Sequence, residues 1–385
     1  MAFSIDGAFP GGNIVVEKTN ADTAFLRQDI RDTEGTWFYW CFRVRGAAGK
    51  RLTFRFTGSP VIGACGPAVS ADAGISWRWL GRECVRDNSF TAVIPGDDVH
   101  FSVGMPYQQE HLWRFCASRE ANAHLSAGTL CRSRQGRDVE TVSFGCLAGE
   151  PLFRVAFTCR HHACEMMANY VLEGFIDETL SPSPEGIWLR DAVEFFSVPF
   201  VDKDGVENGD QGKNRIPHDH NRDYAGVSLY PEVAALREFL PGWSGSRLVA
   251  FLDLHCPYLS GEENEEIFLV GSPVSAVWHA QQAFARTLAR VAQGPLPFSA
   301  DCIIPFGTTW NVAHPPDLLS STRWATSLPG MLLATTIEIP YARAGRREVN
   351  QKTARAFGRD LARAVCVFLR EEVRNEDAWT RESRG

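Results

Sequence analysis

The chain changes its hydrophobic rhythm near residue 109. Before that point apolar and polar residues alternate in short runs, among them "TWFYWCFRVRG", "KRLTFRFTG", "SWRWLG", "SFTAVIP" and "VHFSVGMPY". Gly, Pro, Asn and Asp interrupt these runs at intervals of roughly ten residues. Period-two runs with regular turns predict an antiparallel β-sandwich over residues 1–108.

From residue 109 to 375 strands and helices alternate instead. "HLWRFCAS" predicts a short helix, "LFRVAFTC" a buried strand and "CEMMANYVLEG" a helix ending at Gly174. "EFFSVPFV", "SRLVAFLDLH" and "MLLATTIEI" predict further buried strands. Val277, Phe284, Leu288 and Val291 mark one helical face; Ala354, Phe357, Leu361, Val365 and Phe368 mark a long final helix. Near-continuous apolar strands alternating with helices predict an α/β domain, a parallel or mixed sheet flanked by helices on both faces. In such sheets functional groups collect at the carboxyl ends of strands. Residues 376–385 are expected to be a flexible tail.

Composition narrows the partners. The 385 residues, 44% of them hydrophobic, suffice for a large core and favour more than one domain. A net charge of −7 without any block of Lys or Arg argues against nucleic acid or an anionic membrane as partner. No window nears the roughly 18 apolar residues of a membrane helix. The opening "MAFSIDGAFPGGNIVVEKTN" lacks the basic-then-apolar order of a signal peptide. The eleven cysteines, scattered and without a CxxC pair, are therefore expected as reduced thiols in a cytoplasmic protein.

Against this background "RHHACE" stands out, because it follows a hydrophobic strand directly. His162 and Glu165 are three apart, so a helix starting here would project both from one face, able to close on one ion. His161 and Cys164 have the same spacing and compete; Cys164 is explained as a small packed residue. Zinc accepts imidazole nitrogen and carboxylate oxygen, and a His₂Glu set with a fourth position open is a catalytic type. "LVAFLDLHCP" supplies another strand-end histidine, His255. "VPFVDKDGVENGDQGKNRIPHDHNRDY" then offers carboxylate-gripping groups: the guanidinium forks of Arg215 and Arg222, and the Asn221 amide. In "LLATTIEIPYA" Glu338 sits in an apolar strand, where an interior carboxylate needs a partner or a function as a base.

These four pieces, in this order, resemble the zinc metallocarboxypeptidases, and within them the cytosolic carboxypeptidase branch: "HHACE", "DHNR", "FLDLHCP" and "TTIEIP". The resemblance covers nearly the whole chain, including the sandwich that secreted digestive carboxypeptidases lack. It implies that His162, Glu165 and His255 bind one Zn²⁺ and that Asp219 orients a ligand imidazole. It further implies that Asn221 and Arg222 hold the substrate carboxylate, that Arg215 polarises the scissile carbonyl, and that Glu338 is the general base. Lys213 is the other candidate for the part given to Arg215. The expected substrate is a peptide or protein C-terminal tail, acidic if Arg323 lines the pocket. The chain departs from the family at "DKDG", Asp202 to Gly205, and has no flap tyrosine, since no Tyr lies between Tyr258 and Tyr341. Two other readings share part of this pattern: a zinc amidase acting on peptidoglycan-derived peptides or N-acyl amino acids, and a non-catalytic peptide-binding module.

Overall fold

Alternation in the N-terminal part builds two five-stranded sheets that face each other. One runs, in spatial order, Ser4–Asp6, Cys41–Arg45, Asp98–Ser102, Ala68–Ser70 and Arg78–Trp79; the other Val15–Thr19, Thr23–Arg27, Arg51–Phe56, Ser89–Val93 and Val85–Arg86. Aromatic residues close the space between them, with Trp40 against Phe56 at 4.7 Å and Phe42 against Phe54 at 5.1 Å between ring centroids. Pairing is antiparallel except that Thr23–Arg27 runs parallel to Arg51–Phe56. The sandwich is antiparallel as expected, and this one parallel pairing has a topological reason. The chain crosses to the opposite sheet as Cys41–Arg45 before returning, and such a crossover joins parallel strands.

In the computed structural model, which describes residues 3–31, 33–35 and 37–382 (backbone alone at 262 and from 372), the second region forms an eight-stranded mixed sheet. Its order is Leu125–Arg132, Asp138–Gly145, Val193–Val198, Phe153–Cys159, Leu248–His255, Leu333–Glu338, Phe268–Val270 and Ile303–Ile304. The central four strands are mutually parallel, in the register Cys159 beside Leu254 and His255 beside Glu338. All their carboxyl ends therefore meet at one edge. Burial on both faces explains why these strands read as unbroken apolar runs.

Period two sorts their side chains. Leu252, Leu254, Leu333, Ile337, Val155 and Phe157 share one core with the helices Met167–Thr179 and Gln351–Glu382. Phe251, Ala334 and Ala156 face a second core with Val233, Leu236 and Leu240 of the helix Pro231–Ser244. Thr158, Asp253, His255, Thr336 and Glu338 continue that second face, so the polar positions converge.

Two sequence expectations change. Gly174 does not end its helix, which runs Met167–Thr179; a Cβ there would lie 1.9 Å from the Arg355 carbonyl oxygen. Gly358 on the final helix meets the Val171 carbonyl in the same way, at 2.0 Å. Both glycines are close-approach points where two helices touch backbone to backbone. The final helix also continues to Glu382 through most of the expected tail, and residues 383–385 lie outside the described residues. The helix Ser275–Val291 carries Val277, Phe284 and Leu288 inward as its spacing predicts. Among the described residues, no helix is long and apolar enough to cross a membrane.

Candidate metal centre and active site

The strand Phe153–Cys159 ends in a tight turn rather than at a helix start. Arg160 takes φ +62°, Glu165 N donates to His162 O at 3.2 Å, and the helix begins only at Met167. The i, i+3 pair thus shares one side through a hydrogen-bonded turn, not a helical face. Arg160 is buried and holds that turn: its guanidinium donates to the carbonyls of Ala163 and Tyr107 and to Asn169 Oδ1.

His162, Glu165 and His255 each offer one ligand atom within 4.8 Å of the others. Glu165 Oε1 lies 2.9 Å from His162 Nδ1, and Glu165 Oε2 lies 2.7 Å from His255 Nδ1. That second oxygen is fully buried yet makes no hydrogen bond of acceptable geometry. A buried carboxylate that faces one imidazole with each oxygen, and leaves Oε2 without a well-placed proton from His255, suits a shared cation, and the N₂O donor set suits zinc. Burial would raise the Glu165 pKa, but Lys213, His162 and His255 together hold it well below the usual range.

A second trio, His161, Asp253 and His255, is equally close, but its atoms already satisfy one another. His161 places Nδ1 2.9 Å from Asp253 Oδ1 and Nε2 2.7 Å from the Tyr224 hydroxyl. Asp253 also accepts from Thr158 Oγ1 at 2.8 Å, Ser321 Oγ at 2.5 Å and His255 Nε2 at 2.8 Å. It orients the His255 ring while leaving Nδ1 toward Glu165. The competing pair separates, because Cys164 Sγ instead meets Gln211 and Tyr341.

Glu338 stands beside His255 on the neighbouring strand, 7% exposed, with Oε2 unpartnered. Burial pushes its carboxyl up to about 7, against the lowering influence of His255. One cleft brings it together with His162, His255, Asn221, Arg222 and Arg323. Asp219 caps the short turn that carries Asn221, accepting from Asn221 N at 3.0 Å, and lies 3.5 Å from His162 Nε2. Asn221 Oδ1 accepts from Ser321 N at 3.0 Å, and Arg222 donates to the Asn221 carbonyl at 2.8 Å. Arg323 lies over the Phe306 ring at 5.3 Å. His314 also lines the cleft; partial burial and the nearby charges of Arg222 and Arg323 depress its pKa.

Arg215 does not line this cleft. Its guanidinium is held by Asp202 at 3.0 Å and Asp210 at 2.9 Å, in a separate cavity with His220 and Glu232. Asp202 caps the helix Lys203–Asn208 and also pairs with the arginine. Lys213 is the cation that reaches the metal cluster, with Nζ 2.6 Å from Glu165 Oε1. Sequence reading missed Asp253 and Tyr224, and weighed His161 only as a metal ligand paired with Cys164. An aspartate two residues before His255 in an apolar strand was the available signal, since alternation puts both on one face.

The cavity around Arg215 yields a stability prediction. Glu232 is 2% exposed and burial pushes its carboxyl up to about 7 from 4.5. The folded state then binds the proton more tightly than the unfolded state. This favourable contribution is complete below pH 4.5 and is lost as pH rises through about 7. Glu232→Gln should therefore raise the melting temperature by several degrees at pH 8, equivalent to about 3 kcal/mol at most, and change little at pH 4. Calorimetry across that range checks the sign.

Comparison with known proteins agrees with this architecture. No family model matches the chain. In sequence it is 25% identical over 285 residues to cytosolic carboxypeptidase 2 of Xenopus tropicalis, a match covering 64% of this chain and 29% of that protein. The chain spans only about a third of the length of the curated relatives it first matches. In fold it resembles a metallo-carboxypeptidase from Burkholderia cenocepacia, with a TM-score of 0.79 at 21% identity over 96% of this chain and 100% of that one. A metallo-carboxypeptidase from Pseudomonas aeruginosa in complex with (2-guanidinoethylmercapto)succinic acid gives 0.77 at 19% identity over 96% and 99%. Its mixed sheet and its N-terminal sheets give the chain the fold of these metallo-carboxypeptidases, and its sequence is similar to the cytosolic carboxypeptidases.

Proposed function

We propose that the chain is a zinc-dependent carboxypeptidase that removes an acidic residue, glutamate foremost, from peptide or protein C-termini. The observation carrying this reading is the Glu165 carboxylate shared by His162, through Oε1, and His255, through the unsatisfied Oε2, with the raised Glu338 carboxyl beside His255. His162, Glu165 and His255 would hold the zinc, which when bound supplies Lewis acidity and a water of lowered pKa. Glu338 takes a proton from the water as its oxygen adds to the scissile carbonyl carbon. It then passes that proton to the leaving nitrogen as the C–N bond breaks. Asn221 and Arg222 hold the terminal α-carboxylate.

Arg323 supports the acidic preference. Two guanidiniums on one small cleft suit a terminal residue with two carboxylates, one for Arg222 and one for Arg323. All eleven cysteines are free thiols, which supports a reducing, cytoplasmic setting.

The test is release of single residues from peptides that differ only at the C-terminus, with and without zinc. Glu should be released fastest and Lys slowest. Arg323→Ala should lower kcat/KM for Glu by about 10- to 100-fold, the worth of one charged hydrogen bond, and leave a C-terminal Ala peptide nearly unaffected. Hydrolysis of N-acyl glutamate with no peptide cleaved would move the reading to an amidase.

A further inference from the structure

We propose that Lys213, rather than Arg215, is the cation that stabilises the oxyanion formed at the scissile carbonyl. This assignment rests on the peptidase reading above. Its basis is where the segment after Gly209 sends its two cations. Gly212 takes φ +80° and lies against the metal-binding turn so closely that a Cβ would sit 2.2 Å from Ala163 N. The next side chain, Lys213, is only 14% exposed, with its ammonium at the metal cluster. Arg215, two residues on, is turned into the Asp202 and Asp210 carboxylates.

The ammonium has three donors. Glu165 Oε1 at 2.6 Å and the Cys256 carbonyl at 3.1 Å account for two of them. Among the described residues no acceptor takes the third. Burying an ammonium costs several kcal/mol of hydration, which the Glu165 and Glu338 carboxylates offset here. The Trp37 ring, 6.0 Å from Nζ, forms a wall beside this cation.

The chemistry needs no proton from Lys213. As the water oxygen bonds to the carbonyl carbon, the C=O π pair moves onto oxygen. The ammonium donates a hydrogen bond to that oxygen and keeps its proton; when the C–N bond breaks, the pair returns to re-form the carbonyl. The donor gains most where charge develops, so its loss falls on kcat more than on KM.

The experiment compares Lys213→Met, Lys213→Arg and Arg215→Gln in the zinc-loaded full chain. Lys213→Met should lower kcat by about 10²–10³-fold with KM within threefold and one equivalent of zinc retained. By calorimetry it should lose roughly 100-fold in affinity for a tetrahedral phosphonate analogue of a Glu-terminated dipeptide, while affinity for free glutamate stays within threefold. Lys213→Arg should restore part of kcat. Arg215→Gln should lower thermal stability and leave kcat within a few-fold. Equal phosphonate affinity in Lys213→Met and wild type overturns the assignment, as does loss of zinc that accounts for the whole defect. Failure of the zinc-loaded wild type to cleave any C-terminal residue counts against the peptidase reading instead.

Discussion

Replacing Glu338 by Gln is expected to lower C-terminal residue release by about 10³-fold while zinc content stays at one equivalent. The substitution keeps the shape of the side chain and removes only its ability to accept a proton. Glu338 fits the part of base because its buried Oε2 has no hydrogen-bond partner among the described residues. A buried structural carboxylate would be paired, as Glu173 of the helix Met167–Thr179 is with Arg355 at 2.6 Å. Burial has already moved Glu338 up to about 7, the range in which a base works well near neutrality. A dication held by Glu165 and the two histidines would draw that value down again, so the acidic limb of kcat/KM should fall below pH 7. The measurement is a paired one, residue release and bound zinc on the same sample. Undiminished release by Glu338→Gln would remove this residue from the mechanism.

The second large effect is expected at Asp253, which contacts no substrate. Asp253→Asn should weaken zinc binding by about 10- to 100-fold and destabilise the fold by roughly 3–5 kcal/mol. Its two oxygens serve four donors, on Thr158, His161, His255 and Ser321, and it is fully buried. Burial would raise its pKa, but His161 and His255 overcome this and hold the carboxyl well below the usual range. An Asn amide presents two donors of its own to that set, so at least one imidazole loses its partner and His255 loses the contact that fixes its ring. Competition with a metal indicator reads the affinity, and thermal unfolding of the metal-free protein reads the stability. If both were unchanged, the Asp253 network would be a bystander to the metal site.

The parts of the site that could be read from the chain are those that follow from strand periodicity. A parallel strand delivers its last residue to the same edge as its neighbours, so His255, Glu338 and the turn after Cys159 had to meet once the three strands were adjacent. Asp253 obeys the same rule and went unread because it looked like part of an apolar run. Arg215 went wrong for a different reason. Which of two nearby cations in a Gly-rich segment turns inward depends on Gly212, on the Asp202 cap and on Asp210, and these matter only through contacts made after folding.

The division between sequence and structure is therefore physical. Alternation, helical spacing and the scarcity of polar groups in buried strands are local properties, and they determined the α/β architecture, the sandwich ahead of it and the strand-end placement of His162, Glu165, His255 and Glu338. Pairing of charges is a property of space. Only the tertiary structure decided that the His161 and Asp253 trio is satisfied within itself, that Arg215 is held by two aspartates, and that Lys213 enters the metal cluster. Desolvation makes each buried charge seek whichever opposite charge the fold brings within about 3–4 Å, and that choice is not written in any one segment.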